Sequence, residues 1–432
     1  MEYRLQQYKI GPAIPNRQTI FILLMAFALL LPAQTNAEGY RISPPGAFNL
    51  GRAGGRIAQI DDSSAVQQNP ANLTELTNAE FQFTPSVIYF SAHFDSSAAS
   101  GQSADTQEPW NAAPNLFASM PMDNGKIALG LGISTPYGLG VHWNPNSSAF
   151  APGGVLRYAT PYDVNLQTIN INPSVATKFF DDKLRIGVGL DVMWSELTFK
   201  EFYPWFLAVP GSPDGHLKLD GDGFGVGGNL GITWQITEHQ RFAVTYRSPI
   251  HIDYEGSTTL DNVPGGGTLS RSFSTSTTFP TIVAAGYGID LPHNVRLESD
   301  VEWLEYSYFK NVPINTDPSL GLPKSVPENW DDSYTIGIGG DWQFADNWVL
   351  RAGYQWYETP IPDNNLTPSI PDANDNVFTI GIGYKHGHQS IEAAYGANFY
   401  DTRTISHDVT PAFDGKYGVT VQLFSIAYRY SF

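Results

Sequence analysis

Apolar side chains alternate with small or polar ones through most of this sequence after residue 80. Within residues 184–195 one set is apolar and is made up of Leu184, Ile186, Val188, Leu190, Val192 and Trp194. The residues between them are Arg185, Gly187, Gly189, Asp191, Met193 and Ser195. Successive side chains of a β-strand point to opposite faces, so this period predicts strands with one apolar and one small or polar face. The same period recurs in residues 334–344, 348–356 and 378–384.

Strands of this kind suit either the core of a soluble β-sandwich or the wall of a transmembrane β-barrel. Aromatic residues make up 13% of the chain and concentrate near the ends of the apolar faces, where amphipathic rings prefer the lipid headgroup level. Glycines are frequent on the opposite faces, as a crowded lumen requires. Short turns also alternate with long loops, which is the habit of outer-membrane barrels. These features favour the barrel.

We predict an all-β fold of fourteen antiparallel strands closed into a transmembrane barrel, because single-chain barrels of this kind have an even strand number. The predicted strands are residues 80–94, 113–122, 124–135, 164–179, 183–200, 218–236, 239–255, 279–290, 293–309, 331–344, 347–358, 375–386, 388–400 and 418–432. The last strand ends in Phe432. A terminal aromatic residue there resembles the signal read by the outer-membrane barrel assembly machinery, which is therefore an expected partner.

Charge and residue usage exclude several classes of function. Asp and Glu total 42 against 24 Lys and Arg, whereas a nucleic-acid binder normally shows a basic footprint. The chain has no cysteine, which excludes disulfides, Cys-zinc sites and cysteine nucleophiles. After the N-terminus no run of about 18 apolar residues occurs, so no transmembrane helix is predicted.

The N-terminus is typical of an export signal. Arg4, Lys9 and Arg17 precede an apolar run in residues 20–31, and small residues follow at 35–37. We therefore predict a cleaved signal peptide over residues 1–37, with a retained anchor as the alternative. An export signal before a barrel places the mature protein in the outer membrane of a Gram-negative bacterium.

Residues 40–76 show little β alternation and lie between the signal and the first predicted strand. Gly51 and Gly54 occur close together there, and Asn69-Pro70-Ala71 comes near the end of the segment. Pro70 fixes its own φ and restricts Asn69, which predicts a rigid turn. We predict that residues 38–79 fold as a plug inside a barrel formed by residues 80–432. The alternative for residues 69–71 is a plain turn into the first strand.

The segments at residues 49–55, 61–62 and 69–71 together resemble the N-terminal hatch of the FadL-type (OmpP1/FadL/TodX) outer-membrane transporters. The similarity continues through residues 166–201, 245–249 and 351–371 and covers essentially the whole mature chain. The resemblance implies a gating role for the hatch residues Gly51, Gly54, Asn69, Pro70 and Ala71.

The same resemblance implies a two-stage route for the substrate. Substrate lands in an apolar groove among extracellular loops, moves to a tighter pocket, and leaves after the hatch shifts. In the family a kink in the third strand gives a side exit through the wall. The third predicted strand carries Gly130 and Gly132, which would relax strand pairing there.

Two long loops, residues 136–163 and 202–217, are rich in apolar side chains. The residues expected to capture a ligand are Tyr137, Leu139, Trp143, Phe150, Phe202, Trp205, Phe206 and Leu207. Each CH₂ of an acyl chain buried among them gains roughly 0.8 kcal/mol. The alternative is that the two loops simply pack on each other.

A fatty-acid carboxylate in an apolar pocket needs a cation or several hydrogen-bond donors, because an unpaired buried charge is costly. Arg157 and Lys324, each at the edge of a loop, are the predicted carboxylate-binding residues. Ordinary ion pairing with acidic residues of the lumen is the alternative role for both.

Signals for catalysis are weak. Gly223, Gly225 and Gly228 spell GxGxxG, but a strand-like segment follows them where a dinucleotide site needs a helix. His386 and His388 flank a turn and lack further metal ligands. We therefore expect no enzyme activity, metal site or cofactor.

The predicted function is passive uptake of hydrophobic molecules, most simply long-chain fatty acids, with outer-membrane lipids around the wall. The alternatives are a channel for monoaromatic or aliphatic hydrocarbons, an outer-membrane lipase and a general porin.

Overall fold

A closed ring of antiparallel strands forms the wall of the protein. The computed structural model describes residues 39–42 and 44–432, so the predicted signal peptide lies outside the described residues. Fourteen wall strands are present in this part of the chain, and the last pairs with the first. The predicted all-β, fourteen-stranded fold is confirmed.

The wall strands are built from shorter elements, numbered here in chain order. The described strands are β1 (Glu80–Phe83), β2 (Ser86–Ser96), β3 (Ser103–Asp105), β4 (Trp110–Ala113), β5 (Leu116–Met122), β6 (Ile127–Ser134), β7 (Gly138–His142), β8 (Asp163–Phe179), β9 (Leu184–Tyr203), β10 (Gly215–Thr237), β11 (Gln240–Arg247), β12 (Ile250–Leu260), β13 (Leu269–Phe279), β14 (Ile282–Leu291), β15 (Val295–Leu304), β16 (Asn311–Pro313), β17 (Ser325–Pro327), β18 (Ser333–Ala345), β19 (Trp348–Tyr357), β20 (Asp375–His386), β21 (Gln389–Tyr400), β22 (Arg403–Ile405) and β23 (Gly415–Ser431). The α-helices are α1 (Gly46–Gly51) and α2 (Ala65–Gln68). The 3₁₀ turns are Pro70–Glu75, Asp123–Gly125, Trp205–Leu207, Tyr306–Tyr308, Pro318–Leu320, Asp363–Asn365 and Pro411–Phe413. None of the helices that the structure describes is long and apolar enough to cross a membrane.

Proline interrupts five of the wall strands. These breaks fall between β1 and β2, β4 and β5, β6 and β7, β11 and β12, and β13 and β14, and they contain Pro85, Pro114, Pro136, Pro249 and Pro280. A proline has no N–H to donate to the neighbouring strand, so the ladder stops and the strand bends. The first three breaks lie on adjacent wall strands.

An apolar belt on the outer face marks the membrane-spanning part of the wall. On β9 the outward side chains run through Val188, Leu190 and Trp194 and then change to Glu196, which pairs with Asp222 on β10. A membrane crossing needs only about 9–11 strand residues. Because β9 has 20 residues and β10 has 23, their ends beyond Glu196 and Asp222 project from the membrane. The long loops lie at this end, which is the extracellular end in barrels of this kind.

The differences from the predicted strands lie mainly in these projecting ends. The sequence prediction missed β13, whose Ser- and Thr-rich residues 269–279 lack apolar alternation because their outer face meets water rather than lipid. It also ended the third strand at residue 135, although β7 continues it beyond the proline break. The predicted ninth strand ran to residue 309, but β15 ends at Leu304.

Residues 44–76, called the plug segment here, lie inside the ring and are almost entirely buried. Its apolar side chains pack on inward side chains of the wall, and the cluster consists of Phe48, Ile60, Ala65, Val66, Leu73, Leu76, Phe117, Ala128 and Ala176. Wall glycines make room for this contact. A Cβ at Gly130 would lie 2.5 Å from Val66 Cγ2 and 2.7 Å from Leu73 Cδ1.

Candidate ligand cavity and plug

A cavity of about 620 Å³ lies in the projecting part of the barrel, above the plug segment. This volume falls in the range of roughly 300–1,000 Å³ that is typical of small-molecule sites. Strands β8, β9, β10 and β13 supply most of the wall, through alternate inward residues such as Leu166, Leu197, Leu219 and Phe273. Two loops, residues 305–332 and 358–374, cover the other side.

The lining is apolar and contains no basic residue. Among the described residues around the cavity there is no lysine, arginine or histidine. Three carboxylic side chains do line it, those of Glu201, Glu328 and Asp408. The cavity therefore suits an aliphatic or aromatic ligand and offers an anionic group no cation.

Tyr40 forms the floor of the cavity, directly before the plug segment. Its ring lies 5.4–6.0 Å from five other aromatic rings, which are those of Tyr137, Phe279, Tyr306, Phe309 and Trp330. All six side chains are buried. Burial raises the pKa of Glu328, which lies at the same level in the extracellular loop, to about 8.

A smaller cavity of about 50 Å³ lies below this floor. Tyr137, Arg41 and Pro70 contribute to its lining, together with wall residues of β10, β11 and β14. Tyr137 and Phe279, whose centroids are 4.5 Å apart, lie between the two cavities with Tyr40. A ligand that leaves the upper cavity downward must displace this group of rings.

Ion pairs hold the plug segment against the wall. Arg52 Nη1 lies 2.6 Å from Asp341 Oδ2, and Arg56 Nη2 lies 2.7 Å from Glu302 Oε1. The Glu298 carboxylate accepts hydrogen bonds from three successive backbone N–H groups, those of Ile57, Ala58 and Gln59. All these side chains are buried, so loss of one partner would strand a charge away from water.

Glycines allow the plug segment to touch the backbone of the wall. Gly54 has a φ of +82°, and a Cβ there would lie 2.7 Å from the carbonyl carbon of Gly337. Gly51 packs beside Arg351 and Gly381, each about 3.3 Å from its Cβ position. Gly51 and Gly54, the two glycines that the sequence analysis assigned to the hatch, thus lie where the plug segment contacts the wall.

The Asn69-Pro70-Ala71 turn is fixed on the inner wall by hydrogen bonds. Asn69 Nδ2 donates to the carbonyl oxygen of Ile57 at 2.8 Å and to Thr233 Oγ1 of β10 at 2.9 Å. Asn69 Oδ1 accepts from the Ala71 N–H at 3.2 Å and so caps the 3₁₀ turn Pro70–Glu75. Pro70 occupies the first position of that turn, where a missing N–H costs nothing.

The break in the third wall strand lies at residues 135–137. Beyond it β7 pairs with β8, while β4 pairs with β2, and no ladder joins β4 to β7 in the part of the chain described. Residues just before the plug segment cover the free edge. The Ile42 N–H donates to the Pro136 carbonyl at 2.9 Å, and the Gly138 N–H donates to the Tyr40 carbonyl at 2.8 Å.

A protein-family model described as "Outer membrane protein transport protein (OMPP1/FadL/TodX)" matches residues 28–432. The chain belongs to this family. The FadL/TodX-type fold and the outer-membrane location in a Gram-negative bacterium follow.

Relatives and solved structures agree with this membership. The chain is 26% identical over 411 residues, 85% of this chain and 89% of the other, to the long-chain fatty acid transport protein of Escherichia coli O6:H1. A crystal structure of a Pseudomonas aeruginosa FadL homologue superposes with a TM-score of 0.79 at 19% identity, covering 91% of this chain and 100% of that one. The Ralstonia pickettii toluene transporter TbuX gives a TM-score of 0.69 at 20% identity, covering 92% and 99%.

The residues predicted to capture ligand in this FadL/TodX-type chain divide into three groups. Leu139, Phe202 and Leu207 line the upper cavity. Phe206 lies at the surface beside it and is 41% exposed, whereas Trp205 is half-buried and packs against the cluster that contains Leu219 and Phe273. The remaining three are buried: Trp143 and Phe150 pack in the core, and Tyr137 lies in the floor between the two cavities.

Neither predicted carboxylate-binding residue offers a free cation to the cavity. Arg157 Nη2 lies 2.6 Å from Asp214 Oδ2, and its guanidinium lies 3.8 Å above the Phe202 ring. Lys324 is exposed and lies outside the lining, although the residue before it, Pro323, contributes to the lining. Arg157 instead ties its own loop to Asp214 and to the Phe202 ring at the end of β9.

Gly130 and Gly132 do not mark the break in the third strand. Gly130 pairs with Ser119 on one side and with Ser174 on the other, within an uninterrupted ladder. The prediction that these glycines relax the pairing is wrong, because their missing side chains serve contact with the plug segment. The break lies at Pro136, which the sequence analysis assigned to a loop.

Two features of the site were not anticipated. Tyr40 is the centre of the floor, and its position next to the glycine-rich segment was the available signal. The acidic residues Glu201 and Glu328 face the cavity, but no sequence pattern distinguished them from the other 40 Asp and Glu residues.

Proposed function

We propose that this protein is a passive channel for hydrophobic molecules, most simply long-chain fatty acids. The observation that carries the proposal is the apolar cavity of about 620 Å³ between the extracellular loops and the plug segment. Burying a chain there gains roughly 0.8 kcal/mol per CH₂, so dilute ligand is concentrated without any energy source. The names of relatives such as the E. coli long-chain fatty acid transport protein support this substrate class.

The proposed route starts at Phe206 and Leu207 on the extracellular surface and continues into the cavity. The exit requires Tyr40 to leave its place between the neighbouring rings. Because residues 40–42 are hydrogen-bonded to Pro136 and Gly138, the same movement uncovers the gap between β4 and β7. The hatch residues around Asn69-Pro70-Ala71 act in this proposal as the fixed point about which the segment moves.

A hydrocarbon channel is the second candidate, and the lining of the cavity favours it. No cation awaits a carboxylate among the described lining residues. The toluene transporter TbuX shares the fold. Uptake of a labelled alkane at the same rate as that of the acid of equal chain length would favour the hydrocarbon candidate.

The proposed channel performs no reaction. A lipase would hydrolyse an ester when the detergent-purified protein is assayed, and a general porin would pass small sugars in a liposome swelling assay. We expect neither result, because the plug segment blocks an aqueous path. Phe432 is exposed, with its N–H bonded to the Ala79 carbonyl at 2.8 Å, and we propose it as the contact for the barrel assembly machinery, with outer-membrane lipids on the apolar belt.

The main experiment measures uptake of a labelled long-chain fatty acid by a Gram-negative host that lacks its own channel. Expression of this protein should restore uptake, and an Asn69→Ala, Pro70→Ala double variant should change the rate several-fold at equal barrel abundance. Asn78→Ala, an exposed asparagine just beyond the plug segment, is the matched control and should have no effect. No uptake with a correctly assembled barrel would refute the function, and a double variant as active as the control would refute the gate.

A further inference from the structure

Three acidic side chains line the upper cavity without a basic partner. Glu201 projects inward from β9 opposite Leu217, and none of the described residues forms an ion pair or hydrogen bond with its carboxyl group. Glu328 accepts one hydrogen bond, from Trp330 Nε1 at 3.2 Å. Asp408 Oδ1 accepts the Thr410 N–H at 2.7 Å, while its Oδ2 is buried without a partner. Buried carboxyl groups normally have partners, so this set points to a ligand.

Cations near the cavity are committed elsewhere. Strand alternation turns Lys200, the neighbour of Glu201, to the opposite face, where its Nζ lies 3.3 Å from Asp163 Oδ1. Arg157 is paired with Asp214. Burial raises the pKa of Glu201 to about 7 and that of Glu328 to about 8, and both groups lie on the extracellular side of the membrane belt.

Ligands with different head groups would differ in how strongly this cavity binds and how fast it releases them. An anionic carboxylate would be desolvated beside acidic groups with no cation to pair with. A cationic amine would form a buried ion pair and leave slowly, whereas conduction needs binding that is weak enough for release. An alkane would bury its chain but leave the carboxyl groups of Glu201 and Glu328 unpartnered. An uncharged head that donates a hydrogen bond gives one of these carboxyl groups a partner without adding charge.

We propose that the cavity selects long-chain ligands whose uncharged head group donates a hydrogen bond to Glu201 or Glu328. This inference rests on the proposed uptake function and specifies its substrate. A primary alcohol fits at any pH, and a fatty acid fits in its protonated form. Glu201 and Glu328 are thus the residues that determine specificity.

Binding of four twelve-carbon probes tests the proposal: 1-dodecanol, dodecanoate, dodecane and dodecylammonium. Displacement of a fluorescent lipid from the barrel in lipid nanodiscs reports each affinity at pH 5.5 and pH 8. At pH 8, dodecanol should bind about tenfold more tightly than dodecane, since one hydrogen bond is worth roughly 1 kcal/mol or slightly more. Dodecanoate should bind weakly at pH 8 and at least about tenfold more tightly at pH 5.5, where more of it is protonated.

Variants identify the groups responsible. A Glu201→Leu, Glu328→Leu double variant should lose the preference for dodecanol over dodecane, a change of about tenfold. The Glu201→Gln, Glu328→Gln pair keeps hydrogen-bonding groups and should keep the preference. Glu196→Leu, on the outer face of the same strand, is the matched control and should leave all four affinities unchanged. A heat-dependent shift on gels verifies that each barrel is folded.

Three results would overturn the proposal. Dodecanoate at pH 8 that binds as tightly as dodecanol, dodecylammonium that is released as fast as dodecanol, or a Leu double variant with an unchanged preference would each do so. If none of the probes binds and uptake is also absent, the proposed channel function fails as well. If dodecanoate binds best and is taken up, the channel function stands and only the head-group inference fails.

Discussion

The lower lumen and the upper cavity of this barrel have opposite chemistry. Nine arginines of the lower lumen and its adjoining segment each form an ion pair with a carboxylate within the described structure, and these are Arg41, Arg52, Arg56, Arg185, Arg241, Arg247, Arg296, Arg351 and Arg429. The described lining of the upper cavity has no basic residue and three carboxyl groups. One region holds a segment of the chain in place, and the other must let a molecule enter and leave.

The difference shows where fixed charge is useful in a channel for hydrophobic molecules. Buried ion pairs are specific in geometry and costly to break, so they suit the seat of the plug segment. A ligand in transit must not meet such a partner, because it would then stay bound. Removing a carboxylate from the lower lumen and adding a cation to the upper cavity should therefore have large and different effects on the protein.

The largest effect is expected from breaking the seat of the plug segment with Glu298→Ala. This change removes the acceptor of three backbone N–H groups and the weaker of the two carboxylate partners of Arg52, and each buried N–H left without an acceptor costs about 1–3 kcal/mol. We expect the segment to loosen and small hydrophilic solutes to leak, measured as conductance in planar bilayers. Glu196→Ala, an exposed change on the outer face, should remain closed. A closed Glu298→Ala barrel would show that the ion pairs do not hold the segment.

A cation introduced into the cavity should abolish the distinction between the two regions. Thr277→Arg places a guanidinium in the lining, where a charge-assisted hydrogen bond is worth about 1.5–3 kcal/mol. Dodecanoate affinity at pH 8 should therefore rise roughly 10- to 100-fold, with slower release. Thr278→Arg on the other face of β13 is the control and should not change it. Equal affinities in the two variants would contradict a binding region whose lack of a cation weakens carboxylate binding.

The boundary between the two regions is tested by Tyr40→Ala. Loss of a ring packed against five others removes about 3–5 kcal/mol of packing and opens the floor. Transport of dodecanol should become several-fold faster while its affinity for the cavity falls only slightly. Tyr89→Ala removes an outer-face ring and is the control. An unchanged rate would mean that the floor is not the barrier.

The smallest effect is expected at the entrance, from Trp205→Asp combined with Phe206→Asp. Phe206 is exposed and Trp205 is half-buried; neither lines the cavity, so both contribute area for capture rather than the final binding contacts. Uptake at low ligand concentration should fall a few-fold, and uptake at saturation should stay constant. Tyr308→Asp, in another extracellular loop and 47% exposed, should have no effect. A similar loss in both variants would indicate a general effect of added charge.

The wall could be predicted from the sequence because lipid and lumen impose opposite demands on alternate residues. Where the outer face leaves the membrane, that contrast disappears, and β7 and β13 were missed for this reason. The segment at residues 40–76 was identified as a plug candidate because it lacks the β alternation of the wall.

The cavity was harder to predict because its residues come from distant parts of the chain. Apolar content indicated Phe202 and Leu207, which line the cavity, but it could not separate them from Trp143 and Phe150, which fill the core. Arg157 is paired with Asp214, and no local sequence pattern shows that these two residues lie close together. The inward-facing Glu201 and Glu328 could not be predicted either, because no local pattern shows that they line the cavity.

The seam between β1 and β23 has a consequence for biogenesis. The plug segment leaves the ribosome before any wall strand, and the ring can close only after β23, the last strand, has been made. If the ring closed first, the segment could enter only through one end of the barrel. It would have to pass the wall carboxylates with which its arginines form ion pairs. The segment is therefore best seated while the wall is still an open, curved sheet. If β23 pairs slowly with β1, the chain should accumulate as an open sheet that already surrounds the plug segment.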